Sequence, residues 1–243
     1  MWKLFFQVCN FLCNFIPNRR TRERIRREKL YDWRKKYKAL RAAFPELNFH
    51  NMRMIKGGWN IGFIVDNRYV FKIRKYYDKK IPAEKIMREK RITDAFEHIS
   101  PLIIPKIELV ESNGYTFYKY NFIPGKNMNW FSKRAIEKHA KIWGKQLAEF
   151  ISAVHNTDPK QIADLKDRPG DGWNHNDICN NVIVNKKTMK IVGIIDWEYA
   201  GWGTLDTEFK NSIGFSHKVK DSGIGDIIQS EYAKIQKKAT FYC

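Results

Sequence analysis

The 243-residue sequence has little cysteine and no long hydrophobic run, and both shortages restrict the class of protein. Its four cysteines lack zinc-ligand spacing to histidine and do not form a dense disulfide framework, which favours a reducing compartment. The apolar stretch Leu4–Ile16 is too short to span a bilayer, which takes about twenty residues. Internal repeats and low-complexity segments are also lacking. We therefore expect a soluble, cytoplasmic globular protein.

The N-terminal 48 residues combine an apolar helix with a strongly basic segment. From position 2 to 16, polar residues recur at helical steps on an otherwise apolar and aromatic face: Lys3, Gln7, Asn10 and Asn14. After Pro17, residues 19–41 carry twelve Lys or Arg against three acids, +9 of the chain's net +19. The pattern favours peripheral attachment of residues 1–41 to the inner face of an anionic membrane. The alternative is a helix packed on the body with a solvated basic face, and nucleic acid is the least favoured partner.

Two short apolar runs in the segment Asn174–Glu198 predict a β-hairpin. Val182–Val184 forms one strand and Ile191–Ile195 the other, joined by a polar turn at 185–190. Polar residues precede the first strand and follow the second. The hairpin therefore collects polar side chains at one end of a small sheet.

Those polar residues have the chemistry of phosphoryl transfer. Asp177 and Asn181 precede the first strand, and Asp196 follows the second. Transfer from a nucleotide needs one carboxylate to orient the attacking hydroxyl, while an amide and a second carboxylate hold the metal. Any one of these carboxylates alone is typically a turn residue, so the prediction rests on the joint pattern.

The segment resembles the protein-kinase-like small-molecule kinases, which include aminoglycoside phosphotransferases and choline or ethanolamine kinases. His-Asn-Asp at 175–177 and Ile-Asp-Trp-Glu-Tyr-Ala at 195–200 are similar to the choline kinase branch. The resemblance implies that Asp177 is the catalytic base, that Asn181 and Asp196 are Mg²⁺ ligands, and that His175 braces the loop. One departure is that only three residues separate Asp177 from Asn181, where the family usually has four. Asn180 is the alternative amide, and Asn181 is preferred because it directly precedes the strand.

The upstream sequence fits a nucleotide-binding lobe. Gly57, Gly58 and Asn60 lead into a predicted hairpin with its turn at 66–67, where bare backbone N–H groups could approach phosphates. Lys72, between apolar residues on the second strand, is placed to reach the α- and β-phosphates of ATP. Within a predicted helix from 83 to 98, Glu89 is the partner that the resemblance implies for Lys72, and Glu84 is the alternative.

Further strands and a core helix complete the pattern. Strands are predicted over 103–110 and 115–123, followed by a hinge between lobes at Pro124-Gly125. The resemblance implies that the backbone of Tyr120 to Phe122 meets the adenine edge. Apolar residues at helical spacing predict a core helix over 143–155.

The acceptor site is expected beyond Asp196. Trp197, Glu198, Tyr199 and Trp202 could offer π faces and a carboxylate to a cationic amine, although Trp197 is slightly favoured as core. Asp206 resembles a family Asp that caps the next helix and braces the catalytic loop.

The sequence therefore predicts an α+β, bilobal protein-kinase-like fold. Residues 1–48 are an extension, about 49–124 an antiparallel-sheet nucleotide lobe, and about 125–243 a reduced, mostly helical C-terminal lobe. The predicted activity is ATP- and Mg²⁺-dependent phosphorylation of a hydroxyl on a small molecule, surface glycan or lipid-linked acceptor. A membrane-associated pseudokinase is the alternative.

Overall fold

The computed structural model describes residues 8–9, 11–28, 33–56, 60–74, 83–213 and 217–241. It divides into two compact units, and the first combines Met1–Ala83 with Leu109–Lys119. The second combines Glu84–Glu108 with Tyr120–Cys243. The predicted boundaries at 48/49 and 124/125 stay predictions.

The described residues of the first unit include helical residues at 8–9 and 11–12, two longer helices and most of a five-stranded sheet. Helix α1 spans Arg19–Glu28 and α2 Trp33–Ala43. The sheet has the order β1-β2-β3-β5-β4. Its strands are β1 (Met52–Lys56), β2 (Asn60–Val65), β3 (Tyr69–Arg74), β4 (Glu108–Ser112) and β5 (Tyr115–Asn121).

Helix α2 belongs to the core of this unit. Ala39 and Leu40 are buried in one cluster with the sheet residues Phe63, Phe71 and Phe117. The helix thus covers one face of the sheet, as a half-apolar antiparallel sheet requires. Part of the segment predicted as an extension is therefore integral to the sheet unit.

The second unit contains helices α3 to α7 and the strands around the predicted hairpin. The helices are α3 (Ala83–Phe96), α4 (Lys133–His155), α5 (Leu205–Ile213), α6 (His217–Lys220) and α7 (Ile224–Phe241). The strands are β6 (Lys126–Asn127), β7 (Gly172–Asn174), β8 (Val182–Val184), β9 (Ile191–Ile194) and β10 (Gly201–Gly203). Strands β6-β8-β9 form one sheet and β10-β7 another.

Helix α4 is the central packing element of the second unit. The apolar residues predicted at helical spacing are all buried: Trp143, Leu147, Phe150, Ile151 and Val154. The helix begins ten residues earlier than the periodicity indicated, because the Ser132 side chain accepts a hydrogen bond from the Ala135 backbone N–H and caps it. This apolar stripe belongs to the large core cluster of the unit, which also includes residues of α3 and α7 such as Phe96 and Ile228.

The prediction of a strand over 103–110 is wrong for residues 103–107. The observed strand begins at Glu108 and continues to Ser112, while Ile103 forms only an isolated bridge with Gly193. Pro105 has no backbone N–H to donate to a ladder, which explains why the apolar run before Glu108 is not a strand.

Position 125, at the predicted hinge, requires a glycine because strand β8 approaches its backbone closely. A Cβ there would lie 2.5 Å from Ile183 Cγ2 and 2.7 Å from the Val184 carbonyl oxygen, so a larger residue would displace strand β8.

Among the described residues, no helix is long and apolar enough to cross a membrane.

Candidate active site

The β8–β9 hairpin brings Asn181 and Asp196 to the same end of the small sheet, as predicted. Val182 pairs with Ile194, and the Ile195 backbone N–H donates to the Asn181 carbonyl oxygen at 3.0 Å. Asp196 itself has a positive φ of 65°. This left-handed conformation is uncommon for residues other than glycine, and aspartate is among the residues that adopt it most readily.

The shortened loop still joins Asp177 to Asn181. The Asn181 backbone N–H donates to the Ile178 carbonyl oxygen at 2.8 Å, which closes a tight turn. From that turn the Asn181 Nδ2 donates to Asp177 Oδ2 at 2.9 Å and to the Asp177 carbonyl oxygen at 2.8 Å. Three intervening residues are therefore enough to hold the two side chains together.

Asn180 also binds Asp177, so the two candidate amides act on the same carboxylate. Its Nδ2 donates to Asp177 Oδ1 at 2.6 Å. Asn129 Nδ2 donates to Asn180 Oδ1 at 2.8 Å, and Asn127 Nδ2 donates to the Asn180 carbonyl oxygen at 2.6 Å. Asn127 and Asn129 were not among the predicted site residues, and their only signal in the sequence is an asparagine-rich stretch after Gly125.

Two opposing influences set the pKa of Asp177. Burial raises it above the ordinary carboxyl value, because desolvation penalises the charged form. The hydrogen bonds from Asn180 and Asn181 pull it back down, and the negative charges of Asp196 and Glu198 raise it further. The net direction is upward, towards the range in which a carboxylate is a better proton acceptor.

His175 lies at the base of the loop, where it is buried and forms a hydrogen bond through each of its ring nitrogens. Its Nδ1 accepts from the Asp177 backbone N–H at 3.2 Å, so its Nε2–H is the donor to the Ile195 carbonyl oxygen, also at 3.2 Å. The ring packs edge-on against Trp197, with centroids 5.0 Å apart. The ring therefore joins the backbone that precedes Asp196 to the backbone of Asp177.

Glu208, rather than Asp206, braces the loop that carries Asp177. Its carboxylate accepts from the His175 backbone N–H at 2.5 Å and from the Asn176 N–H at 3.2 Å. Glu208 is 2% exposed, whereas the Asp206 side chain is 70% exposed and pairs with Lys210. Thr204 caps α5 by accepting from the Thr207 N–H at 3.3 Å. The role predicted for Asp206 is therefore wrong, because Asp206 lies on the solvent face of its helix.

Helix α3 anchors the segment that follows Asp196. The buried Glu89 accepts from the Trp197 backbone N–H at 3.1 Å, and Arg88 Nη1 donates to the Ala200 carbonyl oxygen at 2.5 Å. Glu84, the alternative to Glu89, is exposed. The contact of Glu89 with the backbone next to Asp196 was not predicted from the sequence. The predicted pairing of Glu89 with Lys72 stays a prediction.

Within the first unit, Lys72 is buried on β3 opposite Gly62. Its Nζ lies 4.8 Å from the ring centroid of Tyr118, a cation–π distance. Asn60 is buried at the start of β2. Gly57 and Gly58 lie outside the described residues.

Of the residues predicted at the adenine edge, Tyr120 is buried near the end of β5 and Phe122 is partly buried just beyond it. Their contact with a nucleotide stays a prediction.

The aromatic residues predicted for the acceptor differ in exposure. Trp197 is fully buried and stacks on Phe96, so it is core, as the sequence slightly favoured. Trp202 is half-buried under Lys166, whose Nζ lies 3.9 Å from its ring centroid. Tyr199 is exposed, and its carbonyl oxygen accepts from Asn176 Nδ2 at 3.0 Å. Solvent therefore reaches Tyr199, and it reaches Glu198 and Trp202 in part, whereas Trp197 is no longer an acceptor candidate.

Residues 161–221, which contain Asp177, Asn181 and Asp196, match the family model "Phosphotransferase enzyme family". A comparison with curated protein sequences finds no match.

Solved structures of low sequence identity share the fold. The streptomycin–ATP ternary complex of APH(2")-IIa is 16% identical with a TM-score of 0.63, covering 82% of this chain and 81% of that one. The GDP and kanamycin complex of APH(2")-IIia is 13% identical with a TM-score of 0.64, covering 82% of each chain. The apoenzyme of macrolide 2'-phosphotransferase MphH from Brachybacterium faecium is 12% identical with a TM-score of 0.55, again covering 82% of each chain.

The fold defines the class of the protein, which is the α+β protein-kinase-like class predicted from the sequence. The match of residues 161–221 to the phosphotransferase family model confirms the predicted resemblance to small-molecule phosphotransferases over that segment, and it supports the expectation of a phosphotransferase. The comparisons do not select the choline and ethanolamine kinase branch.

Proposed function

We propose that the protein transfers the γ-phosphoryl group of ATP to a hydroxyl group in a Mg²⁺-dependent reaction. The observation that carries the proposal is the Asp177 carboxylate, held on both oxygens by Asn180 and Asn181 at the sheet end that also presents Asp196. Both amides fix the carboxylate in one orientation before substrate arrives. Positioning of this kind supplies much of the catalysis in phosphoryl transfer.

Asp177 would accept the proton of the attacking hydroxyl, and its raised pKa suits that role. The donors of Asn181 are directed at Asp177, so its amide oxygen is the atom suited to a cation. Asp196 would be the second ligand. The negative charges of Asp196 and Glu198 act on Asp177 from nearby, which fits the residues to a divalent cation. When bound, Mg²⁺ neutralises phosphate charge, usually through one or two carboxylates together with the phosphates and water.

The nucleotide residues are part of the same proposal. Lys72 would orient the phosphates, supported by Glu89, while Gly57, Gly58 and Asn60 would approach them and Tyr120 to Phe122 would border the adenine. Complexes with ATP and with GDP both occur among the structures that share the fold, which supports nucleotide binding.

The acceptor proposed is a small molecule or glycan that carries a hydroxyl group. The exposed Tyr199 ring and the Glu198 carboxylate suit an amine such as choline or ethanolamine. The chain's net charge of +19 argues mildly against a polycationic aminoglycoside, because long-range repulsion slows association. A lipid-linked or lipopolysaccharide-type acceptor is a further proposal that rests on the basic N-terminal segment.

A pseudokinase that binds nucleotide without turnover is the second candidate. The feature that favours it is the short loop between Asp177 and Asn181, which has three intervening residues. The hydrogen bonds from Asn181 to Asp177 at 2.8 and 2.9 Å support the catalytic proposal instead. The two candidates differ in Mg²⁺-dependent turnover and agree on nucleotide binding.

Asp196→Asn is expected to lower Mg²⁺-dependent transfer by at least about a hundredfold, since the substitution removes a charged metal ligand. Asparagine tolerates the positive φ of 65° at this position, so the backbone is retained. The measurement is the initial rate at saturating nucleotide as a function of Mg²⁺ concentration. Asp94→Asn, on the exposed face of α3, is the matched control, and an unchanged Mg²⁺ dependence in Asp196→Asn would remove Asp196 from the proposed metal site.

Asn180→Ala is expected to move the acidic limb of the kcat/KM profile to higher pH. Asp177 must be ionised to accept a proton, so activity is lost as pH falls through its raised pKa. Losing the 2.6 Å bond from Asn180 raises that pKa further, because the bond favours the charged form. The measurement is the pH dependence of kcat/KM beside Asn156→Ala, which removes an asparagine that bonds Ser152 instead. A limb that does not move would show that Asn180 has no influence on Asp177.

A further inference from the structure

The N-terminal segment of the first unit presents a large apolar face to solvent. Four side chains at helical spacing are exposed: Val8 by 46%, Phe11 by 61%, Leu12 by 56% and Phe15 by 69%. Phe11 and Phe15 pack edge to face with their ring centroids 5.4 Å apart, so the two rings form one continuous patch. Contiguous apolar surface of this kind marks an interaction site.

A different face of the same segment is packed inward. Cys9 is partly buried and Cys13 is buried, and these two positions lie one helical turn apart. The apolar face is therefore exposed on a segment whose other side is packed. One side is held by the protein while the phenylalanine side faces outward.

A basic helix begins immediately after this face. Asn18 Oδ1 accepts from the Thr21 backbone N–H at 3.0 Å and caps α1, which places Arg19 and Arg20, both exposed, in its first turn. Residues 19–41 carry twelve basic side chains against three acidic ones. The exposed apolar face is thus bordered by concentrated positive charge.

We propose that the apolar face of residues 8–15 inserts into the surface of an anionic lipid membrane, with the arginines at the start of α1 at its headgroups. Apolar insertion and electrostatic attraction together give stable peripheral binding where either alone is weak. A nucleic acid would use the positive charge and could stack on Phe11 or Phe15. It has no use for the exposed Val8 and Leu12, which offer no π face.

The test is co-sedimentation of the full-length protein with vesicles of phosphatidylcholine plus phosphatidylglycerol, compared with vesicles of phosphatidylcholine alone. Arg19→Gln/Arg20→Gln is expected to weaken binding to the anionic vesicles roughly thirtyfold, from a factor of about five for each basic residue near the surface. Phe15→Ser is expected to weaken binding to the anionic vesicles by about tenfold or more, because the variant lacks the apolar ring whose transfer from water into the membrane favours binding.

Matched controls lie in the second unit. Lys141→Gln/Lys145→Gln makes the same change in charge at two exposed residues of α4, and Ile142→Ser removes an apolar side chain that is 50% exposed. Both controls should bind as the unmodified chain does, and all variants should share its unfolding temperature.

Failure to bind anionic vesicles would overturn the proposal, as would binding that survives Phe15→Ser unchanged. Tighter binding to a nucleic acid than to the anionic vesicles, unchanged by Leu12→Ser, would assign the segment to nucleic acid instead. Because vesicle binding requires no turnover, the outcome is independent of the phosphotransferase proposal.

Discussion

Asp177→Asn is expected to lower the rate of phosphoryl transfer by about three orders of magnitude, within the range of about 10² to 10⁴ for a positioned general base. The substitution keeps the shape of the side chain and removes the proton acceptor. It also leaves the Asp177 backbone, bonded to His175 and Asn181, in place. The measurement is single-turnover transfer from γ-labelled ATP at saturating nucleotide, together with nucleotide affinity, which should be nearly unchanged.

Asp206→Asn is the control for this experiment. It makes the same chemical change at a carboxylate on the solvent face of α5, whose partner is Lys210. Its transfer rate should equal that of the unmodified chain. If Asp177→Asn kept the unmodified rate in a preparation that turns over, the enzyme would not use this carboxylate as a base.

Glu208→Ala is expected to damage both folding and catalysis. It leaves the His175 and Asn176 backbone N–H groups buried without their acceptor, at a cost of about 1–3 kcal/mol for each unpaired group. For a chain of this size that corresponds to a fall in Tm of roughly ten degrees. The loop that carries Asp177 would lose its brace, so kcat should fall more than the affinity for nucleotide. Calorimetry and steady-state kinetics measure the two effects.

Asp206→Ala again supplies the comparison, because Asp206 is two residues away in the same helical turn. That variant should unfold within a degree or two of the unmodified protein, as expected for an exposed pair of an i,i+4 type. Equal losses of Tm in the two variants would contradict the assignment of the brace to Glu208.

The part of the site that sequence predicts is the part built from local contacts. The β8–β9 hairpin is fixed by two apolar runs and a short polar turn, so its register and the meeting of Asn181 with Asp196 follow from residues close in sequence. The buried stripe of α4 follows from its period for the same reason. The superfamily resemblance depended on the same short segment.

The missed residues act across long sequence separations. Glu208 reaches His175 over 33 positions, and Asn129 reaches Asn180 over 51. No local pattern distinguishes Asp206 from Glu208, since both are acids in the first turn of α5. They lie on opposite faces of the helix, and only the packing of α5 determines which face is buried. At residues 103–107 the error is a false prediction of a strand. The apolar pattern indicates a strand there, but Pro105 lacks the backbone N–H that strand pairing needs.

The most direct test of the central claim is transfer of label from γ-labelled ATP, with Mg²⁺, to choline, ethanolamine, an aminoglycoside and a crude lipopolysaccharide fraction offered in parallel. The account predicts label in an acceptor of one class, lost in Asp177→Asn and retained in Asp206→Asn. A folded protein that binds nucleotide yet neither transfers label nor hydrolyses ATP would contradict it and identify a pseudokinase.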